Sequence, residues 1–337
     1  VRGGICQAFQ TGLFENAHHI DARSMYPTQM ILPRIPHGQL LTEEPDYPHA
    51  TIYYPTGYLK LKPGKLAYLQ FRRKTQCERY AWMNIYQPGE YVKDCVLDGT
   101  LALWDAEIEI IEECYETIDW NLGERVYIEM IENTILQPYI RELYKGKQVN
   151  TGTKKYYYKI LLNSLYGKFL SRPDGINMSY ANGYRHKIEQ DDKRTYYLPL
   201  GMFIAMMGRV TLMKAMLSLP SENVLYCDTD SIIYIGDKQP NVMIGKDLSQ
   251  WGIENDNFNA YIIGAKTYQE QNNDGSVITK CAGLSSRISA TLGFKDIYMG
   301  ACFDVLKSKR DPDYWFITLE KTTFQIDCKV GVLREKL

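Results

Sequence analysis

The chain has 337 residues, 45% of them hydrophobic, and carries 39 Lys and Arg against 40 Asp and Glu for a formal net charge of −1. That length allows a large core and more than one subdomain, and the absence of a run of about 18 uncharged apolar residues argues against a membrane span. The eight cysteines form no C-x-x-C pair and His18-His19 alone is too little for a zinc site, so small buried thiols in a reducing cytosol are expected.

Residues 1–32 read as a strand pair leading to a turn at Tyr26-Pro27. Within them, Ile20-Asp21-Ala22-Arg23-Ser24-Met25-Tyr26-Pro27 places Asp21 at the end of an apolar run. A carboxylate there is costly unless it is paired or metal-bound; taken alone, a strand end followed by a turn is the stronger reading. Residues 33–100 are rich in Pro, Gly and Tyr and alternate like strands, as in Thr51-Ile52-Tyr53-Tyr54. Residues 102–118 carry Ile108, Ile111 and Tyr115 at helical spacing, and two more helices are predicted over 124–145 and 153–169. Residues 171–197 are polar and loop-like. A helix is predicted over 200–218, and the stretch from Leu198 to Leu219 holds Arg209 and Lys214, which suits a buried helix better than a membrane span. Strands and helices mix without βαβ alternation, so the fold class is α+β. No Gly-rich phosphate loop of the Walker or Rossmann kind is present.

Charge is segregated along the chain. From Leu101 to Ile135 there are ten Asp and Glu against one Arg; from Arg141 to Arg172 there are eight Lys and Arg against Glu142 alone. The basic run is interleaved with Tyr144, Tyr156, Tyr157, Tyr158 and Tyr166, which suits phosphate contact plus base stacking, although a solvated face would look the same. On a helix, Lys155, Lys159, Asn163 and Tyr166/Gly167 share one face. Lys159 and Tyr166 are then separated by roughly 10 Å along the axis, the reach of a nucleotide from phosphates to base. The residues 223–235, NVLYCDTDSIIYI, set Asp228 and Asp230 between two apolar runs; a polar hairpin turn and a cation site are equally open there.

Together these stretches are more specific than apart. D-x-x-S-x-Y-P at Asp21, K-x-x-x-N-S-x-Y-G at Lys159 and Y-x-D-T-D-S at Tyr226 resemble, in this order, the three signature motifs of family B DNA polymerases. Arg2-Gly3-Gly4 resembles the (Y)-R-G-G segment of protein-primed members, with Val1 where that family has Tyr. Lys266-Thr267-Tyr268 looks like the K-x-Y motif that holds the primer end, and Lys280-Cys281-Ala282-Gly283-Leu284 more weakly resembles a later palm segment. The long gap from Asp21 to Lys159 is similar to the protein-primed insertion of phages and linear plasmids; the stretch 171–197 stands for a short second insertion.

The resemblance implies a right-hand polymerase fold: a palm with an antiparallel sheet, helical fingers and a small thumb. Its expected divisions are palm over 1–32 and 200–290, a palm extension with the first insertion over 33–135, fingers over 136–170, a second insertion over 171–199 and thumb over 291–337. It implies template-directed addition of deoxynucleotides to a primer 3′-hydroxyl with two Mg²⁺ ions, Mn²⁺ being a substitute. Asp21, Asp228 and the Ala22 carbonyl match the metal ligands, and Asp230 has a supporting catalytic role. Ser24, Tyr26, Lys159, Asn163 and Tyr166 match nucleotide contacts, with Tyr26 excluding a 2′-hydroxyl. Arg2, Gly3, Gly4, Gly167, Lys266 and Tyr268 match DNA contacts, Lys266 and Tyr268 alternating on a strand to face the primer. Lys155 and Arg23 are extra phosphate contacts. Expected partners are primer–template DNA, deoxynucleoside triphosphates and a priming protein, for a monomer working in the cytoplasm of a bacterial host from a phage or mobile element. The acidic proofreading motifs of the family lie upstream of Arg2, so the polymerase module without the exonuclease domain is expected. A retired fold that only binds nucleic acid is the alternative. A reverse transcriptase or primase is disfavoured by Asp-Thr-Asp in place of adjacent aspartates.

Overall fold

The computed structural model describes residues 2–70, 93–170, 177–181, 184–188, 197–282, 284, 286–297, 302–310 and 315–323. Val1, Arg172 and Gly283, used above, lie outside them, as do 171–176, 189–196 and 324–337.

The chain opens with β1 (Cys6–Ala8) and β2 (Gly12–Ala22), followed by the short helix α1 (Met25–Met30). The expected turn at Tyr26-Pro27 is therefore the first turn of a helix. Pro27 is tolerated there because a first-turn N–H has no intrahelical acceptor to lose. An inserted segment follows: β3 (Arg34–Leu41), β4 (His49–Leu61), β5 (Asp94–Asp98), β6 (Leu103–Trp104), α2 (Asp105–Cys114) and the long β7 (Tyr115–Glu132). Its five-stranded sheet runs β3-β7-β4-β5, with β6 also on β4.

Two helix boundaries differ from the sequence reading. The helix over 102–118 ends at Cys114, and the one over 124–145 starts only with α3 (Leu136–Val149). Residues 124–132 belong to β7, where Val126 pairs with Ile52 and Tyr127 with Thr51 of β4. The run Val126-Tyr127-Ile128 fits both periods, and the long partner strand decides it. Asn133 then sets the helix start: its Oδ1 accepts the Leu136 and Gln137 amides, and its Nδ2 donates to the Met30 and Leu32 carbonyls.

The helix α4 (Gly152–Phe169) matches the expected 153–169. In the stretch expected to be a loop, β8 (Asn177–Ala181) and β9 (Tyr184–Ile188) form a hairpin instead. Helix α5 (Leu198–Leu217) comes next. It is long and apolar enough to cross a membrane by length and composition, but 72% of that window is buried inside the molecule. A helix this apolar, with most of its length covered, belongs in a core. After it come β10 (Val224–Asp228), β11 (Ser231–Ile235), β12 (Trp251–Gly264), β13 (Thr267–Gln271), β14 (Val277–Cys281), the short α6 (Ser286–Ser289), and the hairpin of β15 (Cys302–Arg310) and β16 (Trp315–Thr323).

The main sheet has seven strands in the order β1-β10-β11-β2-β12-β13-β14, every pair antiparallel. One of its faces, with Ile20, Cys227, Ile232 and Tyr234, joins a core that contains Met206, Val210 and Met213 of α5, Ile108 and Ile111 of α2, and Ile52, Leu59 and Ile128 of the inserted sheet. Each such side chain, fully buried, contributes about 1.5–3 kcal/mol. A second core joins Met30 and Ile31 to Ile140 and Leu143 of α3, Leu162 of α4 and Ile204 of α5. Thus α5 holds the sheet, the inserted segment and the α3–α4 pair in fixed relation. The opposite face of the main sheet carries the polar row described next.

Candidate active site

The three acidic residues meet at one end of the main sheet. Asp228 at the end of β10 pairs with Ser231 of β11, and Ser231 pairs with Asp21 of β2. Directly paired antiparallel residues point to the same face, so Asp228, Ser231 and Asp21 form one transverse row. Two strand spacings put the aspartate backbones about 10 Å apart, with only a small serine between. The row continues to Cys6 beyond Asp228 and to Gly252 beyond Asp21.

Asp230 is held beside the row by backbone. Its carbonyl accepts the Ala22 amide at 2.7 Å and its amide donates to the Asp228 carbonyl at 2.6 Å. The turn between the two aspartates forces Thr229 to φ 59°, an outlier for a β-branched residue that costs of order 1–3 kcal/mol. Ser24 (φ 61°) and Lys266 (φ 58°) are left-handed as well. Each of the three motifs around this corner thus contains one strained non-glycine residue, a pattern typical of functional sites.

The acids are electrostatically uncomfortable without a cation. Burial, then the neighbouring Asp230 and Glu254, pushes the Asp21 carboxyl up to about 7. Burial and then Asp228 push Asp230 up to about 6. Asp228 is served by the Lys266 ammonium, 2.7 Å away. Burial pulls that ammonium down, but its hydrogen bond to Asp228 and the nearby acids leave it raised overall. Hard oxygen donors with raised carboxyl values and a lysine standing in as counter-ion fit a Mg²⁺ site. Among the described residues, no group of three or more His, Cys, Asp or Glu side chains is arranged to hold a metal by itself, so a cation here relies on two or three aspartates plus backbone and substrate oxygens.

A basic corner faces the acids. Lys147 of α3 donates to the Ser24 hydroxyl at 3.0 Å. Burial and the repulsion of Lys159, Arg23 and Lys155 hold the Lys147 ammonium below its ordinary range, so the four cations converge. Lys155, Lys159, Asn163 and Gly167 are all exposed along one face of α4, as the helical spacing predicts. Arg23 lies over Gly252, where an added Cβ would clash with its guanidinium at 1.8 Å, and pairs with Glu254 at 3.1 Å.

Between the acids and the basic helix stands an aromatic pair. Tyr26 and Tyr166 stack with ring centroids 4.3 Å apart. Tyr26 also packs on Gly208 of α5, where a Cβ would come within 3.3 Å of its ring, and its hydroxyl receives the Gly4 amide. Gly4 presses on Thr229, leaving no room for a side chain, whereas Gly3 and Gly167 face open space.

The expectation for Lys266 and Tyr268 needs correction. Lys266 precedes β13 in a left-handed turn, so the two residues do not alternate on one strand. Lys266 reaches the acids, while Tyr268 is buried against Tyr226 at 4.9 Å between centroids. Tyr226 links them: its hydroxyl accepts the Lys266 amide and faces Asp228.

Arg2 points away from this corner and pairs with Glu107 of α2 at 2.6 Å. Sequence reasoning missed Lys147, Glu107 and Arg209 as site residues. The only signal for Arg209 was a charge inside an apolar helix; Lys147 was one of eight basic residues with nothing to single it out.

Comparison with known proteins follows the same lines. The family described as DNA polymerase type B, organellar and viral, matches residues 1–243. The DNA polymerases of Bacillus phages PZA and phi29 are each 27% identical over 317 residues, covering 83% of this chain and 53% and 52% of those proteins. The chain therefore spans about half the length of the curated relatives it matches. The structure of phi29 DNA polymerase complexed with primer-template DNA and incoming nucleotide substrates has the same fold, with a TM-score of 0.77 at 24% identity, over 96% of this chain and 60% of that one.

Proposed function

The chain belongs to the type B DNA polymerases of organelles and viruses, and on that premise we propose that it adds deoxynucleotides to a primer 3′-hydroxyl under the direction of a template. The observation that carries the reading is the convergence of the Asp21–Asp228 row, the Lys147–Lys159 corner and the Tyr26–Tyr166 stack on one end of one sheet.

Asp21, Asp228 and the Ala22 carbonyl would hold Mg²⁺, or Mn²⁺ in its place, with Asp230 supporting them. When bound, the ions supply charge stabilisation to the oxygens of an in-line phosphoryl displacement. The chain's own residues do the rest. Lys159, Lys147, Arg23 and Lys155 neutralise the triphosphate, and Ser24 takes its place along that path. Asn163 and Tyr166 line the nucleotide pocket, and Gly167 leaves space for the pair. Tyr26, pinned by Gly208 and by the Gly4 amide, sets a wall against a 2′-hydroxyl. Lys266, released from Asp228, holds the primer end, while buried Tyr268 supports it from beneath through Tyr226.

The partners are primer–template DNA and deoxynucleoside triphosphates, with a priming protein for initiation, and the chain works as a monomer in the cytoplasm of a bacterial host. A retired fold that only binds nucleic acid does not account for half-buried carboxyls raised toward neutrality opposite four converging cations. Extension of a labelled primer by this chain with Mg²⁺ and all four deoxynucleotides tests the proposal: template-ordered products support it, and a folded chain that binds primer–template without extending it rejects it.

A further inference from the structure

A buried ion cluster lies where none of the motifs foretells one. Glu107, on α2 of the inserted segment, is fully buried. Its Oε1 accepts from Arg2 Nη2 at 2.6 Å, Arg209 Nη2 at 2.8 Å and the Tyr68 hydroxyl at 2.6 Å, and its Oε2 accepts the Trp104 amide at 3.3 Å. Burial opposes ionisation, but the two guanidiniums prevail and hold this carboxyl down at about 2. Two cations against one carboxylate leave donors over. Arg209 Nη1 directs them to backbone, at 2.6 Å from the Arg2 carbonyl and 3.3 Å from that of Gly3.

The tethered backbone leads straight into the active site. The next residue, Gly4, gives its amide to the Tyr26 hydroxyl and touches the strained Thr229. Ile5 accepts the Thr229 amide at 2.6 Å. Gly208, the neighbour of Arg209, supports the Tyr26 ring. Stability alone is a poor reason for such a cluster, because a buried ion set is often no more stable than apolar residues of the same volume. What apolar residues could not do is hold the carbonyls of Arg2 and Gly3 from one side and so aim the Gly4 amide.

We propose that Glu107 is a positioning residue for Tyr26, acting through Arg209 and the Arg2–Gly4 backbone, so that the inserted segment sets the sugar selectivity of the nucleotide site. The sugar-selectivity part rests on the polymerase reading; the positioning part does not.

The test is Glu107→Gln, which keeps the shape and loses the charge, with Arg2→Met as a second variant that leaves the Glu107–Arg209 pair in place. Amide hydrogen exchange should accelerate about tenfold or more at Gly4 and Thr229, the effect of weakening one charge-assisted contact, with β12 and β13 unchanged. In primer extension, KM for deoxynucleotides should rise and discrimination against ribonucleotides should fall several-fold, with the primer–template affinity of the Glu107→Gln variant unaltered. Unchanged Gly4 and Thr229 exchange in a folded variant overturns the inference. So does faster exchange with intact sugar discrimination in an active enzyme, or a uniform loss of protection in both variants. A wild-type chain that extends no primer sinks the polymerase reading, and the exchange data still decide whether Glu107 positions Tyr26.

Discussion

The Lys266 ammonium lies 2.7 Å from one oxygen of Asp228 and 2.9 Å from the other, so a lysine from a left-handed turn occupies the place at which a carboxylate would meet a cation. Both side chains are partly exposed, and such a pair contributes only about 0–1 kcal/mol to stability. Its interest is competition. Lys266→Gln should leave thermal stability nearly unchanged while lowering the Mg²⁺ concentration that gives the half-maximal thermal shift. A higher requirement would show that Lys266 assists the cation instead of standing in for it.

The pH dependence follows from Asp21 and Asp230. Both carboxyls titrate higher in the folded chain, at about 7 and about 6, than their ordinary value of 3.8. Between those limits the folded state holds more protons than the unfolded one, so stability falls as pH rises from about 4 through 7. A divalent cation offsets that loss and displaces the protons. The stabilisation by Mg²⁺ should therefore grow between pH 5.5 and 8, in a set of melting curves at fixed salt, about these two carboxyls. A Mg²⁺ effect independent of pH would contradict the shifts.

Tyr26 is fixed on three sides, by Tyr166, Gly208 and the Gly4 amide. Tyr26→Val removes the ring and the stack. Ribonucleotide incorporation should rise by about tenfold or more, the size expected when a steric wall worth ~1.4 kcal/mol or more is removed. Unaltered selectivity in steady-state incorporation assays would remove Tyr26 from the sugar site.

Lys147 and Lys159 should behave alike although only one lies in a recognised motif. Each alanine substitution removes a charge-assisted contact of about 1.5–3 kcal/mol, hence roughly tenfold or more in KM for deoxynucleotides. Primer–template affinity should change little. If Lys147→Ala weakens DNA binding and spares KM, the contact with Ser24 serves the DNA and not the triphosphate.

Much of the site was legible because its chemistry is local in sequence. Asp21 and Asp228 stand at the ends of apolar runs, where a carboxylate needs a reason, and both runs are strands whose register places them in one row. The face of α4 followed from spacing alone. The misread parts have long-range causes. Residues 124–132 fit both a helical and a strand period, and β4, about seventy residues earlier, settles the matter. Lys147 meets Ser24 across 123 residues, and no spacing within α3 says which of its lysines does so. Glu107 looked like one more member of an acidic stretch; only the packing of α2 on α5 makes it the buried partner of Arg209. The left-handed Ser24, Thr229 and Lys266 were invisible because none is a glycine.

The most direct test of the acid row is Asp228→Asn, which keeps the shape and the neighbours of that side chain and removes its charge. Primer extension with Mg²⁺ and primer–template affinity are measured side by side on the folded variant. Extension is expected to fall by at least about 10³-fold, with affinity for primer–template held within a few-fold. Extension at the wild-type rate would contradict the assignment of Asp228 to the catalytic cation and, with it, the reading of this end of the sheet as a polymerase active site.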